Sequence, residues 1–474
     1  MEEYFLNLLN DLKKNVDYAD IRVLEEFGEE IQMKNGEVNF VNTRDRGYGI
    51  RVLHKGSWGF ASSSTFGAEQ VRRVATTATE IAAASGTLKR QSAALSEAEP
   101  RVDSCRTAVV KDPFKVPPDD KVGLLVECSR IMRRHKAVKV AEGSIESREI
   151  TKVFLNTEGS HIEQRTVVTG GGISCRTRSG GEIQTRSLYD YAVRGFEFID
   201  SMNLLKESER LAREAIELLS APECPSGTTD LLLGGSQLAL QIHESCGHPI
   251  ELDRVLGAEA GFYGTSFLTV DKLGSFRYGS DDVTITADAT LPGGLGSFAY
   301  DDEGVSGQRT VIVERGIFKG YLTSRETACA IGQKSNGSMR ASSWSCIPLI
   351  RMTNINLEPG EWTLEELIRD TRKGILMDST KSWSIDDKRL NFQFGCESAW
   401  QIERGKLVRL LKNPVYTGIT PQFWRSCDAV CNSEEWRIWG VPNCGKGEPT
   451  QSIPVGHGVA PARFRDVEVG VRRS

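Results

Sequence analysis

The stretch Ser220-Ala221-Pro222-Glu223-Cys224-Pro225-Ser226-Gly227 sets the first limit on the fold. Two prolines and a glycine so close together cannot continue a helix, because proline lacks the backbone N–H and its ring clashes with the preceding turn. The chain has 474 residues, well beyond the ~250–300 at which single hydrophobic cores stop growing. A domain boundary therefore belongs at this break, with residues 1–221 on one side and 228–474 on the other.

The N-terminal part opens with an amphipathic pattern, Tyr4-Phe5-Leu6 followed by Leu8, Leu9 and Leu12 among polar residues, which reads as a surface helix. Residues 19–62 then alternate polar and apolar groups, as in Ala19-Asp20-Ile21-Arg22-Val23 and Gly49-Ile50-Arg51-Val52. Turn signals at Lys34-Asn35-Gly36 and Lys55-Gly56-Ser57 split them into an antiparallel meander. A helix is expected from about Phe66 to Ala84, where Val71, Val74, Ala78 and Ile81 recur at helical spacing. Thr87 to Pro118 is polar and weakly patterned, a long connection. Pro117-Pro118-Asp119-Asp120 starts another helix, with proline at the first position and acids in the positive first turn. Residues 138–198 return to alternation, and Ser201 to Leu219 reads as one amphipathic helix.

Beyond the break the chain is rich in strands, among them Val283-Thr284-Ile285-Thr286-Ala287 and Thr310-Val311-Ile312-Val313, with a hairpin turn at Glu314-Arg315-Gly316. Two helices interrupt them, one around residues 236–248 and one from Thr363 to Arg372. The expected architecture is α+β: an N-terminal domain of helices and meander, and a mainly antiparallel β domain carrying a metal-binding helix.

The formal net charge of −5 offers no basic surface for nucleic acid. The N-terminus lacks the basic residues and unbroken apolar run of a secretory signal. No stretch reaches the ~20 apolar residues of a membrane span. Eleven cysteines scattered singly read as reduced thiols, which places the protein in the cytoplasm.

Two of the six histidines lie within His243-Glu244-Ser245-Cys246-Gly247-His248. Asp230-Leu231-Leu232-Leu233-Gly234-Gly235 reads as a buried strand and turn, with Ser236 as the N-cap of a helix through Gln237, Leu238, Leu240 and Ile242. In the H-E-x-x-H zinc helix the histidines are four residues apart and share a face. A spacing of five puts them roughly 140° apart on a regular helix, so a straight helix cannot bring both to one ion. A π-type turn, in which residues five apart nearly eclipse, restores the geometry; so does termination of the helix between them. Gly247 tolerates positive φ and Pro249 biases His248 away from the α region. The favoured expectation is therefore a helix ending at Gly247, with His248 swinging back toward an ion held by His243.

His243-Glu244-x-x-Gly247-His248-x-x-Glu251-x-Asp253 resembles the H-E-x-x-x-H motif of the TldD/PmbA metalloprotease family, also labelled modulators of DNA gyrase. The likeness continues in Arg46-Gly47-Tyr48-Gly49-Ile50-Arg51, Gly59-Phe60-Ala61, Asp301-Asp302-Glu303-Gly304, Ile317-Phe318-Lys319-Gly320-Tyr321-Leu322 and Arg351-Met352-Thr353-Asn354. It ends with Cys444-Gly445-Lys446-Gly447 and Gln451-Ser452-Ile453-Pro454-Val455-Gly456, and so covers most of the chain. The resemblance implies His243, His248 and Cys444 as zinc ligands and Glu244 as the catalytic base. Two extra residues before Gln451 depart from the family's Cys-Gly-Lys-x-Gly-Gln, so a role for that glutamine does not carry over with the cysteine's. The resemblance further implies a homodimer, or a heterodimer with a motif-lacking TldE/PmbA-like subunit, enclosing a site for small or unfolded peptides.

The chemistry holds together on its own terms. Two neutral imidazoles and a thiolate leave a zinc site of net charge about +1, able to bring the pKa of a bound water near 7. Glu244 would take the proton of that water as it attacks a peptide carbonyl and return it to the leaving nitrogen. Glu251 and Asp253 read equally as groups orienting an imidazole and as a solvated acidic turn. For the developing oxyanion the sequence offers Arg340, Tyr321 and His457 without choosing among them. A peptide substrate could add as a strand to an exposed sheet edge. Rival readings are a structural zinc cluster on Cys427, Cys431, Cys444 and His457, and a non-catalytic TldE/PmbA-like binding subunit, against which the retained ligands argue.

Overall fold

The computed structural model describes residues 2–87 and 92–470. The N-terminal meander forms as expected: β1 (Tyr18–Lys34), β2 (Glu37–His54) and β3 (Ser57–Ser63) pair in order and antiparallel. Asn35 and Gly36 make the first turn at φ 53° and 93°, the left-handed pair a two-residue hairpin needs. The sheet continues through β5 (Val138–Asn156), which pairs with β1, to β6 (His161–Ser179). Along the far edge of β6, β4 (Val102–Arg106) runs parallel to its first residues and β7 (Glu182–Ala192) antiparallel to the rest. The polar connection from Thr87 thus contains a strand: β4 is short and largely exposed, so it carries little apolar patterning. Residues 88–91 of that connection lie outside the described residues.

Helices cover one face of this sheet. α1 (Glu2–Leu12) and α2 (Ala68–Ser85) bury Phe5, Leu9, Val74 and Ala78 against Ile21, Tyr48 and Ile50. α3 (Pro118–Met132) brings Leu125 and Cys128 onto Ile145 and Ile173. The helix expected over 201–219 is two, α4 (Glu197–Ser201) and α5 (Leu204–Ser220), because Asn203 between them is left-handed at φ 51°. Leu211 and Ala215 of α5 join the same core as α3.

The C-terminal part begins with β8 (Gly227–Leu233) and α6 (Gly235–Ile242). Its mixed sheet runs β11 (Ile317–Phe318), β10 (Arg309–Glu314), β9 (Ile285–Asp288), β14 (Asn354–Leu357), β21 (Gln451–Val459), β20 (Arg437–Lys446). β12 (Met339–Arg340) and β13 (Leu349–Ile350) form a small hairpin beside it. The remaining strands close on themselves: β15 (Lys373–Ile385) pairs with β8 and with β16 (Asn391–Glu403), β16 with β18 (Val415–Ile419), β18 with β22 (Ala462–Val469), and β22 with β8. β17 (Lys406–Leu411) and β19 (Cys427–Val430) are appended to this ring. Most pairings are antiparallel and helices and strands are segregated, which is the α+β class expected.

α6 packs between β15 of this ring and β20, β21 and β14 of the other sheet. Gln237 donates to the Tyr416 hydroxyl at 3.0 Å, which in turn donates to Gln241 at 2.9 Å, and Trp424 donates to Ser245 at 2.9 Å. These bonds satisfy the Tyr416 hydroxyl and the Trp424 N–H, which lowers the cost of burying them against the helix, while Gln241 Nε2 is enclosed without a partner. Leu238, Ile242, Cys246 and Ile250 supply the apolar contacts, about 1.5–3 kcal/mol for each large aliphatic side chain fully buried.

The Asp301-Asp302-Glu303-Gly304 segment joins the two parts. Asp302 accepts from Lys152 at 2.5 Å and from Arg22 at 3.4 Å, while Glu303 accepts from Arg51, itself paired to Asp20 at 2.7 Å. All these groups except Lys152 are almost completely buried. No helix among the described residues is long and apolar enough to cross a membrane.

Candidate metal centre

The five-residue spacing is resolved by a π turn over His243–Gly247 rather than by termination. His248 N–H reaches the His243 carbonyl at 3.2 Å, the i→i+5 bond that superimposes residues five apart. His248 stays right-handed at φ −67° and ψ −41° in spite of Pro249. The chain also keeps turning after it, with Ile250 N–H bonded to the Cys246 carbonyl at 3.3 Å. The expected swing at Gly247 is therefore corrected, and so is the reason for the glycine. A Cβ on Gly247 would lie 2.3 Å from Met352 Sδ, so the residue is small to admit a neighbour, not to reach positive φ. The helix also starts two residues earlier than expected, with Gly234 rather than Ser236 as N-cap. Ser236 instead donates to Asp378 at 2.5 Å and accepts from Ser379 N–H at 3.1 Å.

His243, His248 and Cys444 come together with their ligand atoms all within 4.8 Å of one another, and all three are buried. Cys444 Sγ lies 3.6 Å from His248 Nε2. A tetrahedral zinc held at ~2.3 Å from sulfur and ~2.0 Å from nitrogen separates those two ligand atoms by about 3.5 Å, so the donor set fits such an ion. Cys444 sits on β20 opposite Ile453, next to a bulge after Val441 that re-aims the strand. Arg351 ties it down, donating to the Cys444 and Gln451 carbonyls.

The outer nitrogen of each imidazole is occupied. His457 Nδ1 lies 3.3 Å from the Ile355 carbonyl, which can only accept, so His457 Nε2 is the acceptor for His243 Nδ1–H at 2.8 Å. His248 Nδ1–H donates to Glu251 at 3.0 Å. Both Nε2 lone pairs are thereby directed to the same point as Cys444. Burial pushes the His243 imidazole below its usual value and that of His248 well below. Both are neutral near pH 7 and need lose no proton to take a cation. Burial alone would raise the Cys444 thiol; the Arg351 guanidinium, and His248 when that imidazole carries a proton, act against it, and the net shift is downward.

Glu251 is fully enclosed and also faces Lys446 at 3.4 Å. Asp253 does not touch an imidazole; it accepts from Lys446 at 2.7 Å. The acidic turn is thus an ion-paired support rather than a solvated one. Of the three residues considered for the oxyanion, Tyr321 donates to the Leu268 carbonyl at 2.8 Å and His457 is engaged by His243. Arg340 donates to the Met352 carbonyl at 2.9 Å, with burial and neighbouring Arg351 bringing its guanidinium down to about 10. Gln451 bonds Ser342 N–H and the Ile347 carbonyl, holding a loop and not the centre.

Cys427 and Cys431 do not join Cys444. Neither is in the group of ligand atoms around Cys444, although Cys427 shares its large apolar cluster; Cys431 lies in another, where burial pushes it up to about 12. Among the described residues the only metal-ligand group is His243, His248 and Cys444.

One neighbour was illegible in the sequence. Arg389 Nη1 lies 2.6 Å from Glu244 Oε2, across 145 residues of chain. Asp386-Asp387-Lys388-Arg389 reads only as a charged hairpin turn, and no local signal marks it.

Profiles of the PmbA/TldA metallopeptidase domains match nearly the whole chain: domain 1 over residues 19–82, the central domain over 111–221 and the C-terminal domain over 226–471. A metalloprotease of Methanocaldococcus jannaschii is 32% identical over 447 residues, 93% of this chain and 94% of the relative. A TldD-homologue metalloprotease of Buchnera aphidicola is 27% identical, covering 99% of this chain and 96% of the relative. A Thermotoga maritima structure described as a candidate modulator of DNA gyrase superimposes at TM-score 0.80 with 20% identity, covering 99% of this chain and all of the other. TldE of Thermococcus kodakarensis does so at 0.73 with 18% identity, over 99% and 100%.

Proposed function

This chain belongs to the PmbA/TldD metallopeptidase family, and on that premise we propose that it is a zinc-dependent peptidase acting on small or unfolded peptides. The observation that carries the reading is the buried His243, His248 and Cys444 triangle, whose two imidazoles are each fixed from behind. That is a preorganised cation site rather than a chance cluster. A zinc ion held by these three groups would supply Lewis acidity and bring the pKa of water near 7.

Glu244, next to the first ligand and buried, is the base: it takes a proton from water and hands it to the departing amine. His457 and Glu251 hold the ligand tautomers. Residues 1–221 act in assembly and access, and residues 228–474 form the peptidase domain. A cavity of about 140 Å³ between them, lined by Lys152, Asp302, Arg340 and Ile453, lies behind the strand opposite Cys444 and suits part of a peptide. The active assembly is a dimer, with a second copy or with a TldE-like subunit. Eleven unpaired cysteines suit the reducing cytoplasm.

Metal content and peptide hydrolysis, measured on the wild type beside Glu244→Gln and Cys444→Ser, test the proposal. Glu244→Gln should keep its zinc and lose activity, and Cys444→Ser should lose both. Full activity in zinc-loaded Glu244→Gln would remove Glu244 as base. Undiminished zinc affinity in Cys444→Ser would remove Cys444 as ligand.

A further inference from the structure

Peptide hydrolysis at this centre requires a donor for the carbonyl oxygen that becomes negative, and Tyr321, His457 and the bonded Arg340 nitrogen are committed elsewhere. Arg389 is placed differently. It ends the turn of the β15–β16 hairpin at φ 61°, a left-handed conformation that an L-residue adopts only when its surroundings hold it there. The turn is held in that shape by Asp386, whose carboxylate accepts from Leu390 N–H at 2.8 Å and Asn391 N–H at 3.0 Å. Thr420 donates to the Arg389 carbonyl at 2.9 Å. The side chain is therefore delivered from a fixed backbone into a largely enclosed position, 13% exposed.

Its guanidinium is only partly used. Nη1 holds Glu244, Nε is enclosed without a partner, and Nη2 makes no hydrogen bond among the described residues. The positive charge also lies close enough to act on both His243 and His248. A single planar group thus touches the proposed base, next in sequence to the ligand His243, while its second amino group has no hydrogen-bond partner among the described residues.

We propose that Arg389 is the oxyanion-stabilising residue of this site, holding Glu244 through Nη1 and donating from Nη2 to the carbonyl oxygen of the scissile peptide. This rests on the peptidase reading above. As water oxygen bonds to the carbonyl carbon, its proton passes to Glu244 and the carbonyl π pair moves onto oxygen, where Nη2–H receives it. On collapse that pair re-forms the C=O bond, the C–N pair leaves with nitrogen, and nitrogen takes the proton from Glu244. Arg389 stays protonated throughout, and one water is consumed per bond cleaved.

The test uses full-length, zinc-loaded protein, with Arg389→Gln and Arg389→Lys beside the wild type. Zinc content should be unchanged in both. Arg389→Gln should lose about 10²–10³-fold in kcat with KM little altered, the usual cost of one oxyanion donor, and Arg389→Lys should lose less. Calorimetric binding of a phosphinic peptide, a tetrahedral anion, provides a readout apart from turnover. Arg389→Gln should weaken it by a similar factor, and should do so equally in a Glu244→Gln background. Unchanged phosphinate affinity there would overturn the proposal and leave Arg389 as a positioning residue for Glu244. A zinc-loaded wild type that hydrolyses no peptide would instead refute the parent reading, whatever Arg389 does.

Discussion

Replacing Gly247 by alanine separates two accounts of why a glycine stands between the histidines. In the structure the added Cβ would sit 2.3 Å from Met352 Sδ and 3.0 Å from its Cε, against the ~3.5–4.0 Å at which carbon contacts are favourable. Met352 is completely buried, so it cannot move out into solvent. Overpacking of this kind costs about 1–3 kcal/mol, offset by the ~1 kcal/mol that alanine gains over glycine in a helix interior. The net expectation is a loss of about 0–2 kcal/mol in urea unfolding of the metal-free protein. If the glycine were needed for positive φ, alanine would cost a similar ~1–2 kcal/mol, so the single substitution decides nothing. The double-mutant cycle with Met352→Ala does. On the steric account, trimming Met352 makes room, so the two changes together cost about 1–2 kcal/mol less than their sum, well above the ~0.3–0.5 kcal/mol scatter of independent sites. Strict additivity would refute the close-packing argument and restore the backbone one.

Three further outcomes follow from the same geometry. His457→Phe removes the acceptor behind His243 and should weaken zinc binding ~10–100-fold in a chelator competition, with Glu244 untouched. Lys446→Met leaves Glu251, Asp253 and Glu259 facing one another without their shared cation, and should cost about 3–5 kcal/mol in denaturant unfolding. For the metal-free protein, His243 and His248 have folded pKa values lowered by burial. Below about 6.5 the unfolded chain binds protons that the folded one refuses. Stability should therefore fall as pH drops from 6.5 toward the folded values. Titrating unfolding of the His243→Phe/His248→Phe variant should show a shallower pH slope; an unchanged slope would remove these residues as its cause.

Local chemistry was legible wherever a few neighbouring residues decide the outcome. Asn35-Gly36 and Arg315-Gly316 turn where their left-handed preference requires, and Thr363 with Glu366 forms the capping box that starts its helix. The pairing of His243 with His248 and Cys444 was reachable through motif and resemblance. The choice between a π turn and a helix end was not, since both are cheap locally. Enclosure of Gln241–Ile250 on every side favours the continuous turn, whose backbone groups satisfy one another.

The α+β class, the N-terminal meander and the residue types able to hold a cation could be read from the amino-acid order alone. These depend on periodicity, on turn residues and on ligand chemistry, all of which are local. Only the packing of the whole chain closes β8, β15, β16, β18 and β22 into a ring, seats the histidine helix against β15 and against β14, β20 and β21 of the other sheet, and lets His457 and Glu251 set the tautomers. It also brought Arg389 onto Glu244. Those partners are separated by as many as 214 residues. Their meeting depends on how the strands pair and pack, a free-energy balance over the whole core that no short window of sequence contains.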